Sequence, residues 1–261
     1  MSRVTPPVPA SLPGAATALL GGTARVSGAR RGGQLVAGLV LYSVSIALLV
    51  RSGLGNMPWD VLSQGISRQV GWSFGTVTLA LSVLVLAAWV PLRQRPGPGT
   101  VANVLVIGLL VDPCLALLNL LADPLPLTGA LALVVAGIGL NGLATALYIG
   151  ARLGPGPRDG LMTGLVGRTG WSVRVVRSGI EATVVLAGWA LGGTLGWATL
   201  GYALAIGPLA HALLPRYALP APSSRGPWGG RPAREPGSAG PAVVAADPVA
   251  AAQAGRRAGA S

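Results

Sequence analysis

Residues 54–60 read Leu-Gly-Asn-Met-Pro-Trp-Asp, and residues 153–159 read Leu-Gly-Pro-Gly-Pro-Arg-Asp. The two heptapeptides carry Leu, Gly, Pro and Asp at the same four places, 99 residues apart. Extended outward without a gap, this register aligns residues 37–115 with residues 136–214, and 25 of the 79 positions are identical. Matches of Ala, Leu and Gly carry little weight in a chain so rich in them. The block around the heptapeptides carries more: Leu62, Gly65, Gly71, Trp72 and Ser73 recur as Leu161, Gly164, Gly170, Trp171 and Ser172. Further on, Thr100, Ile107 and Gly108 recur as Thr199, Ile206 and Gly207. Such self-similarity marks a duplicated structural unit.

The setting of the repeat decides its class. Of 261 residues, 51% are hydrophobic and only 10% charged, and the mean hydropathy is +0.63. A water-soluble domain of that size needs a more charged surface. The charges fall between long apolar runs: residues 34–50, 74–92, 100–122 (interrupted by Asp112 and Pro113), 127–151, 178–195 (carrying Glu181) and 197–214. Each run is near the roughly 20 residues that a helix needs to cross the hydrocarbon core. Trp59, Trp72, Trp171 and Trp197 stand near run ends, where indole rings favour the membrane interface. The expected fold is therefore an all-α membrane protein with about six transmembrane helices in a lipid bilayer.

Each repeat reads as a helix, a Gly/Pro-rich turn with a short amphipathic or broken helix, and two further helices. Three crossings is an odd number, so the second copy enters the membrane from the opposite side. Inverted repeats of this kind recur in secondary transporters, whose mirrored halves exchange inward- and outward-open states. The expected organisation is a disordered cytoplasmic tail over residues 1–33, repeat 1 over 34–122, repeat 2 over 127–215 and a disordered cytoplasmic tail over 216–261. With both termini inside, the cytoplasmic segments hold Arg25, Arg30, Arg31, Arg93, Arg95, Arg152, Arg158, Arg168, Arg174, Arg177, Arg216 and Arg225, whereas the external ones hold Arg51 and Arg68. That asymmetry follows the positive-inside rule. It also accounts for a net charge of +12 without nucleic acid as a partner.

Several classes are excluded by inventory. One cysteine, Cys114, and one histidine, His211, leave no disulfide framework, no CxxC site and no Cys/His metal cluster within a chain. The Gly97-Pro98-Gly99 turn lacks the Lys and Ser/Thr of a phosphate loop. No Ser/His/Asp set, HExxH or catalytic carboxylate pair is present, so neither an enzyme nor a cofactor is expected.

The candidates for chemistry sit at the breaks. Gly55 and Gly154 permit backbone conformations closed to other residues, and Pro58 and Pro157 end what precedes them. Asp60 and Asp159 then begin short helices over about 58–68 and 157–168, which either re-enter the membrane or lie along it. They can serve as N-caps, or line a discontinuous helix that binds an ion or polar substrate. Arg158 offers an anion partner at the inner interface, while Trp59, its repeat counterpart, is expected at the outer one. Glu181 lies within a span, where an ionisable group is costly and functional by default, although Arg177 stands four residues away as an intrahelical partner. Asp112 is expected near the external face, and His211, its repeat counterpart, near the cytoplasmic face.

These residues bear a resemblance. Gly53-Leu54-Gly55 with Pro58-Trp59-Asp60, Gly71 with Ser73-Phe74-Gly75-Thr76, and Gly97-Pro98-Gly99-Thr100 with Asn103 resemble the YczE-like bacterial integral membrane proteins, grouped with the YitT-type proteins. Pro157-Arg158-Asp159-Gly160, Arg177 with Glu181, Gly192-Gly193 and Ile206-Gly207-Pro208 fit the same pattern. The resemblance spans about residues 34–215. The turn before Thr199 departs from its repeat counterpart, with Trp197 and Ala198 in place of Pro98 and Gly99. The resemblance implies a bacterial cytoplasmic membrane location. An association of some relatives with secondary-metabolite production implies export or an accessory role. The expected function is a small secondary transporter of a small molecule, with Asp60, Asp159, Glu181 and Arg158 along its pathway. The alternative is a scaffold that recruits a cytosolic partner through its basic tails. Homo-oligomer formation stays open.

Overall fold

The computed structural model describes residues 27–121 and 123–220. These form eight helices: α1 Gly28–Ser52, α2 Pro58–Val70, α3 Phe74–Trp89, α4 Pro98–Leu118, α5 Leu127–Gly150, α6 Pro157–Thr169, α7 Val173–Ala190 and α8 Trp197–Tyr217. Five of them, α1, α3, α4, α5 and α8, are long and apolar enough to cross a membrane. The expected fifth run, residues 178–195, is replaced by α7, which starts five residues earlier and takes in Arg174 and Arg177 beside Glu181. Its 18 residues hold all three of these charges, and α7 is not among the five. The six-residue tail segment 28–33 is also helical rather than disordered. Ser27 caps α1, accepting from Arg30 N at 3.3 Å, and the buried Arg31 guanidinium donates to the carbonyls of Ala151 and Pro220. Arg216 and Tyr217, expected in the second tail, likewise belong to α8; residues 1–26 and 221–261 of the two expected tails lie outside the described residues.

The breaks are built the same way twice. After α1 the chain turns at Gly53 and Gly55 (φ 68° and 127°), and after α5 it turns at Arg152 and Gly154 (φ 54° and 130°). Gly55 is needed for space as well as for its dihedral. A Cβ there would lie 2.7 Å from Thr199 Oγ1 and 2.8 Å from Gly196 N, against the start of α8. At Gly154 a Cβ would lie 3.1 Å from Gly97 Cα and from Thr100 Oγ1, against the start of α4. The backbone closes both joints, with Ala198 N donating to Leu54 O at 3.1 Å and Gly99 N to Leu153 O at 2.9 Å. Pro58 and Pro157 then stand in the first turn of α2 and α6, where a missing N–H costs nothing.

The core forms around α1 and α5, which run antiparallel in close contact. A Cβ on Gly38 would lie 2.8 Å from Tyr148 N, and one on Gly137 would lie 3.0 Å from Leu49 Cγ. These two contacts are the same contact in the 99-residue register. The other pairings recur likewise: α1 packs on α4 as α5 packs on α8, and α2 packs on α7 as α6 packs on α3. At the last of these pairs, bulk changes sides. The Trp89 indole lies over Gly160 and donates to Pro157 O at 3.0 Å, whereas Gly188, in the place of Trp89, lets α7 meet the backbone of Val61 and Leu62.

Candidate functional site

The N-terminal ends of α2 and α6 meet beside the α1–α5 pair. Neither Asp caps its helix: the N-cap positions are Met57 and Gly156, with no side-chain cap, and Asp60 and Asp159 stand two residues past the opening prolines. Their carboxylates face inward instead. Asp60, 1% exposed, pairs with Arg158 across the repeats, Nη2 to Oδ1 at 3.3 Å. The other oxygen, Oδ2, is buried with no hydrogen-bond partner. Asp159 accepts from the Tyr148 hydroxyl at 2.6 Å. The pattern of partners thus splits the two acids, one held by a guanidinium and one by a phenol.

Trp59 and Arg158 are not at opposite interfaces as expected. They stack, with the guanidinium carbon 5.2 Å from the ring centroid, a favourable cation–π arrangement. The reason is the fold itself: equivalent positions on α2 and α6 converge where the two helices start. Arg158 is thereby held by Asp60 on one side and Trp59 on the other. Glu181 joins the group from α7, its Oε1 2.9 Å from Arg177 Nε, so the intrahelical pair forms. Asp112 lies apart from this centre. It accepts from Ser73 Oγ at 2.6 Å and Gly75 N at 2.7 Å, which ties the start of α3 to α4. His211, in the same repeat position, makes no such tie among the described residues.

Three tyrosines complete the centre, and the sequence reading passed over them. Tyr42 and Tyr148 meet edge to face, centroids 6.1 Å apart at 79°. Tyr202 donates to Asn141 Oδ1 at 3.0 Å, and Asn141 donates to Ser45 Oγ at 2.8 Å. A signal was present: in the 99-residue register Tyr42 aligns with Asn141 and Asn103 with Tyr202, so the same two places in each repeat put a polar group inside an apolar run.

Two cavities flank this septum, and Tyr42, Tyr148, Arg158 and Asp159 line both. The larger, about 230 Å³, is walled by Arg177, Glu181, Tyr202 and Ile206. The smaller, about 60 Å³, is walled by Thr78, Ser82, Asn103 and Ile107. Those four residues are the repeat counterparts of the other four, one for one. Among the described residues no group of three His, Cys, Asp or Glu is placed to hold a metal ion.

Comparison with known proteins matches residues 29–215 to a family described as a family of unknown function, DUF6198. An uncharacterized protein of Haemophilus influenzae is 40% identical over 181 residues, 67% of this chain and 82% of that protein. The uncharacterized membrane protein YczE of Bacillus subtilis is 31% identical over 183 residues, 69% of this chain and 83% of its own length. The uncharacterized protein YyaS of the same organism is 27% identical over 182 residues, covering 68% and 89%. No solved structure matches.

Proposed function

The chain belongs to this DUF6198 family of helical membrane proteins, a relative of YczE, and on that premise we propose that it is a small secondary transporter working by alternating access. The observation that carries the reading is the pair of cavities. Their walls are equivalent residues of the two repeats, yet one measures about 230 Å³ and the other about 60 Å³. Two halves of one design held in different states, open and shut around a shared septum, are what an exchange between inward- and outward-open forms requires.

The antiparallel packing of α1 on α5 supports an inverted relation of the repeats about an axis in the membrane plane. The six crossings of this reading include α7, whose Arg177–Glu181 pair lines the larger cavity. α2 and α6, at 13 residues each, are about 20 Å long and too short to cross a core of about 30 Å. They serve as re-entrant half-helices whose starts meet at the septum. With both termini cytoplasmic, as the arginine distribution favours, the larger cavity opens inward and Asp112 latches the external side. The membrane is then the bacterial cytoplasmic membrane, the cargo is a small molecule, and no catalytic step is involved.

Ser63 and Met162 occupy the same repeat position and give the test. Ser63 is buried, at 1% exposure, while Met162 lines the larger cavity. In a Cys114→Ala background, Met162→Cys should react with an impermeant thiol reagent from the cytoplasmic face only, and Ser63→Cys should stay protected. Cross-linking Ile180→Cys to Ile206→Cys, to hold the larger cavity shut, should then expose Ser63→Cys to the external face. Labelling of both positions from one face, or a cross-link without effect on position 63, overturns the reading.

A further inference from the structure

The halves differ in one more place. α3 packs closely on α4, where a Cβ on Gly108 would lie 2.9 Å from Leu79 Cβ. α7 and α8 do not pack to a comparable degree, and Gly207, the counterpart of Gly108, has nothing within 4 Å of that position. The sequence supplies the cause. Asp112, which ties α4 to Ser73 and Gly75, is replaced in the second repeat by His211, and Gly75 by Arg174. His211 has no carboxylate to accept from the residues at the start of α7, and a side chain at the Gly75 place would occupy the space of that carboxylate, since a Cβ on Gly75 would lie 2.6 Å from Asp112 Oδ2.

The gap is an apolar cleft of about 560 Å³ on the outside of the helices, lined by Ala182, Val185, Leu200 and Ala203. Glu181 and Pro58 belong to its wall and to that of the polar cavity, so the two spaces adjoin. With the buried Asp60 counted, three carboxylates (Asp60, Asp159 and Glu181) share two guanidiniums (Arg158 and Arg177) around the polar cavity. Arg158 is shared with Asp60 and Arg177 with Glu181, which leaves Asp159 with a phenol as its hydrogen-bond partner. The positive end of α6 offsets roughly half of that charge and no more. Around the acid stand the rings of Tyr42, Tyr148 and Tyr202, and such ring faces attract cations, organic ammonium groups above all.

Resting on the transport reading above, we propose that the cargo is an amphiphilic organic cation. Its ammonium head lies at Asp159 among the tyrosines, and its apolar chain lies in the α7–α8 cleft, through which it enters from the bilayer. A polar chamber with an unmatched acid and an adjoining apolar slot accommodates both ends of one molecule.

The experiment uses the full chain in lipid nanodiscs, with radiolabelled decyltrimethylammonium and tetramethylammonium as probes. Both should bind saturably, and Asp159→Asn should weaken both by about tenfold or more, as expected for loss of a partly desolvated charge partner, while Asp159→Glu should retain binding. Filling the cleft with Ala203→Phe or Ala182→Phe should weaken decyltrimethylammonium and leave tetramethylammonium unchanged. Comparison of each variant with the unsubstituted chain in the same nanodiscs cancels partition of the long probe into lipid, and the unchanged short probe shows that the cleft variants are folded. Equal loss of both probes in folded cleft variants, binding indifferent to Asp159, or preferential displacement by decyl sulfate overturns the inference. Its failure is separable from that of the transport reading. If alternating cysteine exposure persists without cation binding, the cargo class is wrong. If the cation binds as expected but gives no counterflow in proteoliposomes, the transport reading is wrong and the site stands.

Discussion

Removing Arg158 should be the most costly single change at the centre. Among the described residues its guanidinium is the one cation paired with Asp60, 3.3 Å away, and Asp60 is 1% exposed with a second oxygen that has no partner there. Arg158→Met keeps most of the side-chain volume and deletes the charge. Breaking a buried pair from one side costs about 3–5 kcal/mol, because the remaining charge is left uncompensated. Loss of the stack on Trp59, at 5.2 Å, adds about 1 kcal/mol. Proton uptake by Asp60 limits the total, so a fall of about 3 kcal/mol is expected. Asp60→Asn removes the stranded charge, and the double variant should recover about half of the loss. The assay is reversible unfolding of the purified protein from mixed micelles, read as a double-mutant cycle. A cost below about 0.5 kcal/mol, or two single effects that simply add, would refute the view that this pair holds the starts of α2 and α6 together.

The other expectations concern the joint and the latch. Gly55→Ala should destabilise by about 1–3 kcal/mol, since its φ of 127° is strained for Ala and its Cβ meets Thr199 and Gly196. Gly139→Ala, mid-helix with open space around it, should be neutral or stabilising by up to about 1 kcal/mol. The same unfolding assay ranks the two. Asp112→Ala deprives Ser73 and Gly75 of their acceptor, a loss of about 1–3 kcal/mol at the α3–α4 contact. In a Cys114→Ala background, thiol labelling of Ser82→Cys in the smaller cavity should rise several-fold, in line with that energy. Unchanged labelling would show that the contact is held shut by packing alone.

How far the sequence reached is clear from particular residues. It carried the membrane class, because only a lipid-facing chain can hold so many apolar residues with so few charges. The 99-residue register located both breaks, since Gly55, Pro58, Gly154 and Pro157 are residue types that backbone sterics demand at such turns. It flagged Asp60 and Asp159 as acids at the starts of short helices, and Glu181 as an acid within an apolar run. It did not bring Arg158 to Asp60 and Trp59, because those contacts run between the repeats, nearly a hundred residues apart. A charge count by loop sent Arg158 and Trp59 to opposite faces, whereas the convergence of α2 and α6 puts them together. The tyrosines were missed for a related reason: an aromatic residue in an apolar run looks like core until its hydroxyl finds Asp159 or Asn141. The inequality of the two cavities is also a tertiary fact: the sequence shows Asp112 and Gly75 exchanged for His211 and Arg174, but only the packing of α3 on α4, against the gap between α7 and α8, shows cavities of about 60 and 230 Å³.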